Sequence, residues 1–238
     1  MNTLSHPHLL RRVFVWEFPV RLYHWINAAC IVVLIATGFI ISDPPAILSG
    51  KEAYQNYWFG TTRFIHFLAS YIFLFNFIFR LYWGFVGNKY ASWRNFIPSS
   101  REFWKDIVLV LKTDIFMTKR EPENTVGHNR LAGFTYLLTF FAFALQCLTG
   151  FGLYAAMSDW WLPNMFDWVA PLVGGDFMLR QIHHWIMWFF ILFTVVHVYL
   201  VFFHDYVEGR GELSSMAGGW KFVEEEVFDE ADKKHEGK

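Results

Sequence analysis

QIHHWIMWFFILFTVVHVYLVFF, residues 181–203, runs without an Asp, Glu, Lys or Arg between Arg180 and His204-Asp205. At about 1.5 Å rise per residue, about 20 apolar residues cross the hydrocarbon core of a bilayer, so this stretch reads as a membrane-spanning helix. It carries His183, His184 and His197. Ionisable side chains at membrane depth are costly and point to function by default. Residues 183 and 197 are 14 positions apart, which puts them about 21 Å apart along the axis and within about 40° of one stripe. His184 is rotated roughly 140° from His197 and points elsewhere.

Three further stretches have the same character. Residues 22–41 end at Ser42-Asp43-Pro44-Pro45, residues 57–79 are closed by Arg80, and residues 131–157 hold no charge. The expected fold is therefore all-α, an integral membrane four-helix bundle. Residues 1–21 form an amino-terminal segment, 22–203 the membrane domain, and 204–238 a polar, acidic tail whose end is partly disordered. Arg11, Arg12, Glu17 and Arg21 break up the amino terminus, and no small-residue cleavage site precedes the first apolar run, so the first span is expected to be retained. Between the second and third spans, Trp93, Phe96, Phe103, Trp104, Ile107, Val108 and Leu111 alternate with Arg94, Arg101, Lys105 and Lys112. That pattern suits an additional amphipathic helix in the cytoplasmic interface. With four spans, one side of the membrane collects 17 Lys and Arg and the other 3. The positive-inside rule then makes both termini cytoplasmic.

Composition agrees. Of 238 residues 55% are hydrophobic, 21% aromatic and only 17% charged, which excludes disorder and argues against a water-soluble domain. The net charge of −1 offers no attraction to nucleic acid. Cys30 and Cys147 stand alone in apolar runs, so disulfide scaffolds, iron–sulfur clusters and covalent c-type haem are excluded.

The histidines carry the chemistry. With the amino terminus inside, His24 lies at the inner end of the first span and matches His197 in depth. His66 lies in the outer half of the second span and matches His183. Two imidazoles facing each other at each of two depths is the donor set of two six-coordinate b-type haems. Zinc is disfavoured because neither level offers a third ligand, and a proton relay because the spans hold no Asp or Glu at depth. Arg21, Arg63 and Arg180 each stand three residues before a histidine, on the same helix face and nearer the surface. They suit bidentate contacts to haem propionates, and equally snorkelling anchors at helix ends.

Gly127-His128-Asn129-Arg130 opens the third span, where donors at a helix start suit a quinone carbonyl, although Asn129 equally suits a helix cap. Asn76 and Gln146 suit hydrogen bonds between helices. Thr37-Gly38-Phe39 and Thr149-Gly150-Phe151 look alike near the outer ends of two spans, where glycines mark close packing, with a flat cofactor as one form of it.

PVRLYHW at residues 19–25, RFIHF at 63–67, RLYWGFVGNKYA at 80–91, GHN at 127–129, QIHHW at 181–185 and HVYL at 197–200 resemble the b-type cytochrome subunit of respiratory nickel–iron hydrogenases. The likeness covers residues 14–223. It implies a di-haem membrane anchor for the small and large subunits of a periplasmic hydrogenase, without a hydrogen-activating site of its own. Electrons from the iron–sulfur small subunit would enter an outer haem held by His66 and His183. They would pass to an inner haem held by His24 and His197 and reduce menaquinone or ubiquinone near His128 and Asn129. The alternatives are a subunit of a formate dehydrogenase type complex, a stand-alone b561-type quinone oxidoreductase, and a non-redox anchor or transporter.

Overall fold

The first long helix begins where proline is tolerated. Phe18 and Pro19 sit in its first turn, where an amide hydrogen would have no partner inside the helix. In the computed structural model, which describes residues 10–45, 57–93, 96–97, 104–105, 107–108, 126–127, 130–225 and 228–229, helix α1 spans Phe18–Ser42. Its last bond runs from Asp43 N to Phe39 O at 3.0 Å, before the two prolines. Helix α2 spans Trp58–Val86 and α3 spans Arg130–Ala155. Two one-turn helices follow, α4 at Trp161–Asn164 and α5 at Val169–Leu172. Helix α6 spans Asp176–Glu208, with Asp176 complementing the dipole at its start. Short helix α7 covers Glu212–Gly218. All four long helices are long and apolar enough to cross a membrane.

Two of these spans outrun the expected lengths. Arg80 does not close α2, because it is only 2% exposed and the helix continues to Val86. The 33 residues of α6 measure about 50 Å, well beyond the roughly 30 Å of hydrocarbon. The expected interfacial helix falls mostly outside the described residues.

The chain divides into two compact units. The first, residues 22–82 and 139–196, is a bundle of the four long helices. One aromatic core joins them, with Cys30 from α1, Phe73 and Phe77 from α2, Phe143 from α3 and Phe190 from α6. Phe143 stacks on Phe73 with centroids 3.8 Å apart and meets Phe190 edge-on. Where lipid is as apolar as the side chains, such close ring packing supplies association that the hydrophobic effect cannot. Leu22, Val32, Phe64, Phe75, Phe141, Trp185 and Leu192 remain exposed, as lipid-facing residues should. Val169 and Ala170 of α5 and Leu179 of α6 form a smaller core.

One buried polar contact ties α1 to α2. The Asn76 amide donates to Asn27 Oδ1 at 2.7 Å and to the Tyr23 carbonyl at 2.9 Å. Asn76→Leu removes that donor and is expected to cost about 1–2 kcal/mol of bundle stability. A thermal melt in detergent should show a lower midpoint, and an unchanged midpoint would remove this bond from the account.

The second unit, residues 1–21, 83–138 and 197–238, contains the only strands among the described residues. Strand β1, Leu10–Phe14, pairs antiparallel with β2, Trp220–Glu224, in the register Leu10↔Glu224 to Phe14↔Trp220. Within the polar tail of residues 204–238, Glu212–Gly218 form α7 and Trp220–Glu224 form β2. Val13, Val15, Trp16, Val20, Ala91, Val126 and Val223 form the core of this unit. Gly219 accepts from Val15 N and Trp16 N. Its φ of 86° and a Cβ that would fall 2.6 Å from Trp16 O leave room for glycine only. The Lys221 ammonium is paired with Glu212 at 2.6 Å. Glu17 accepts from Trp83 Nε1 and Asn88 N, and Asn88 Nδ2 returns a bond to Val15 O, so the WGFVGN run clamps the residues that lead into α1.

Candidate functional site

Inside the four-helix unit a cavity of about 490 Å³ opens among α1, α2, α3 and α6, within the roughly 300–1,000 Å³ range of cofactor pockets. Its walls are mostly apolar, including Ile31, Leu34, Phe67, Phe73, Phe151 and Phe190. His66 from α2 and His183 from α6 both line it, as do Arg63 and Arg180. Both arginines precede their histidine by one turn, and both stand near the start of their helix. Arg63 directs its guanidinium to Met157 Sδ.

Each imidazole is met by a Thr-Gly pair from another helix. On α1, Thr37 Oγ1 lies 2.8 Å from His66 Nδ1 and 2.7 Å from Val33 O. A Cβ on Gly38 would meet His66 Cε1 at 3.7 Å. On α3, Thr149 Oγ1 lies 2.9 Å from His183 Nδ1 and 2.8 Å from Leu145 O. A Cβ on Gly150 would meet His183 Cε1 at 3.1 Å. Gly150 therefore allows a closer approach of ring to backbone than any larger residue would. Gln146, expected to bond between helices, places its amide nitrogen 3.1 Å from His183 Nε2.

The structure thus brings His66, His183, Arg63 and Arg180 to one cavity. Arg21 belongs to the other unit, where it donates to the Ala217 carbonyl. His184 also lines the cavity, with Nδ1 donating to the Arg180 carbonyl at 2.9 Å. His24 belongs to the four-helix unit, edge-on to Trp25 at 5.2 Å between centroids, whereas His197 belongs to the other unit. His128 and Asn129 lie outside the described residues. The repeated Thr-Gly-Phe marked close packing through its glycines, and the structure adds the bonds from its threonines to the two rings.

Two imidazoles in an apolar cavity, with guanidiniums at its wall and glycine against each ring, suit a flat, iron-bearing, doubly acidic group. Comparison with known proteins agrees with that chemistry. Residues 15–219 match the family described as prokaryotic cytochrome b561. A probable Ni/Fe-hydrogenase B-type cytochrome subunit of Cupriavidus necator is 38% identical over 216 residues, 89% of this chain and 88% of that protein. Its namesake in Azotobacter vinelandii is 38% identical over 218 residues, 90% of each chain. A probable Ni/Fe-hydrogenase 1 B-type cytochrome subunit of Escherichia coli K12 is 31% identical over 227 residues, 92% of each. Coverage from the entry to α1 through to α7, on top of four membrane-length helices, makes this chain a membrane protein of the prokaryotic cytochrome b561 family.

Proposed function

We propose that the chain is the di-haem b membrane subunit of a nickel–iron hydrogenase complex, carrying electrons from the iron–sulfur small subunit to menaquinone or ubiquinone. The observation that carries this reading is that His66 and His183 line one cavity, with both rings bonded through Nδ1. His66 and His183 would hold the outer haem, His24 and His197 the inner one, and His128 and Asn129 would stand at the quinone site. Bound haem b supplies a one-electron carrier whose potential the protein tunes.

The chain's own residues do the rest. The apolar wall keeps water from the ring edges and lowers the local dielectric. The Arg63 and Arg180 guanidiniums would offset the charge of haem propionates. The basic excess of 17 to 3 supports both termini facing the cytoplasm of a bacterial inner membrane. Protons for quinone would then be drawn from inside while hydrogen oxidation releases them outside. The subunit needs no hydrogen-activating site of its own, because its relatives are named as cytochrome subunits of Ni/Fe hydrogenases.

Arg63→Ala and Arg180→Ala each remove a positive charge beside the cavity, which favours the oxidised iron. Each is expected to lower the midpoint potential of the outer haem in a redox titration, and unchanged potentials would leave the arginines as anchors. The whole reading is tested by mild-detergent purification followed by hydrogen addition. Co-purifying nickel–iron protein and hydrogen-dependent reduction of the b-type absorbance are expected. A haem-bearing chain that never retains such a partner would favour the stand-alone or formate-linked cytochromes instead.

A further inference from the structure

The two Thr-Gly-Phe segments perform the same task twice. In each, the threonine hydroxyl has one hydrogen and two close neighbours, a carbonyl one turn back and a ring nitrogen. Thr37 Oγ1 stands 2.7 Å from Val33 O and 2.8 Å from His66 Nδ1, and Thr149 Oγ1 stands 2.8 Å from Leu145 O and 2.9 Å from His183 Nδ1. A carbonyl oxygen can only accept. Were the hydroxyl hydrogen turned to the ring, two oxygen acceptors would be left in contact at hydrogen-bond distance. The hydroxyl therefore donates to the carbonyl and accepts from Nδ1–H. That fixes the tautomer of both rings, with the proton on Nδ1 and the lone pair on Nε2. Gln146 agrees, because its amide donor faces His183 Nε2 at 3.1 Å, as it would face an unprotonated nitrogen. At Gly150 the missing side chain lets the His183 ring lie close to the helix backbone, whereas at Gly38 a Cβ would make only an ordinary contact with His66.

We propose that Thr37 and Thr149 are paired positioning residues that lock His66 and His183 as Nε2 ligands and hold down the potential of the haem between them. The inference rests on the haem placement given above. A hydrogen bond accepted from Nδ1–H makes the imidazole a stronger electron donor, and a stronger donor favours oxidised iron. Because one threonine acts on each of the two histidines that would hold the haem, the two effects would fall on the same haem and should add.

The test is a redox titration of the purified holoprotein, with low-temperature EPR of the oxidised form, on Thr37→Val, Thr149→Val, the double variant and the two serine variants. The outer haem is expected to shift to higher potential in each valine variant and further in the double. Its low-field EPR position should move as well, serine should restore both, and the inner haem should not respond. Valine variants with full haem content and unaltered potential and EPR would overturn the proposal. If a valine variant loses haem, its serine counterpart decides: restored content supports the hydroxyl's role, and continued loss overturns it. His66→Ala and His183→Ala separate the two layers of argument. Two haems retained there would refute the haem placement itself, whereas loss there with unmoved valine potentials would refute only the role of the threonines.

Discussion

His183→Ala is expected to halve the haem content of the purified chain. On the proposed assignment His183 supplies one of the two donors in the cavity, and alanine leaves His66 alone against an apolar wall. A single imidazole holds haem far less firmly than two. The bundle itself should persist, because the aromatic core of Phe73, Phe77, Phe143 and Phe190 does not depend on that ring. Pyridine-haemochrome assay and circular dichroism on one preparation should therefore show a helical protein with about half the wild-type haem. The inner haem, assigned to His24 and His197, should keep its spectrum. Full content in the variant would place the haems elsewhere.

Gly150→Leu should be nearly as damaging without touching a donor atom. The first carbon of any side chain at 150 would lie 3.1 Å from His183 Cε1, already tighter than an ordinary contact. The remaining carbons of leucine must then pass the ring or enter the cavity, and either displaces the imidazole from Thr149. Gly38 provides the internal control, because a Cβ there meets His66 Cε1 and Met187 Sδ at 3.7 Å, an ordinary separation. Gly38→Ala is expected to keep both haems, Gly150→Ala to disturb the outer one, and Gly150→Leu to lose it. The readout is haem content with the reduced-minus-oxidised spectrum. Equal tolerance at the two glycines would mean that the closer packing at His183 has no bearing on cofactor binding.

The long helices were legible because about 20 consecutive apolar residues declare a span without reference to any partner. Their ends were not, since Arg80 looks like a surface charge until packing shows it buried within α2. The ribbon was invisible for a different reason. Leu10 pairs with Glu224, and no local pattern announces a partner so far along the chain, while Arg11, Arg12 and the acidic residues beyond Val223 read as solvated ends. Counting depth along four helices brought His66 and His183 to one level, and both line one cavity. The same count could not show Thr37 and Thr149, because a threonine in an apolar helix is satisfied by the carbonyl four residues back. Only the neighbouring helix reveals the ring that it also holds.

Haem stoichiometry of the wild-type chain tests the central claim most directly. A dithionite-reduced minus oxidised spectrum with pyridine-haemochrome quantification, on detergent-purified protein of verified helical content, should give close to two b-type haems per chain. A folded, membrane-inserted chain that carries none would contradict the account and leave its histidines as hydrogen-bonding residues of an anchor or transporter.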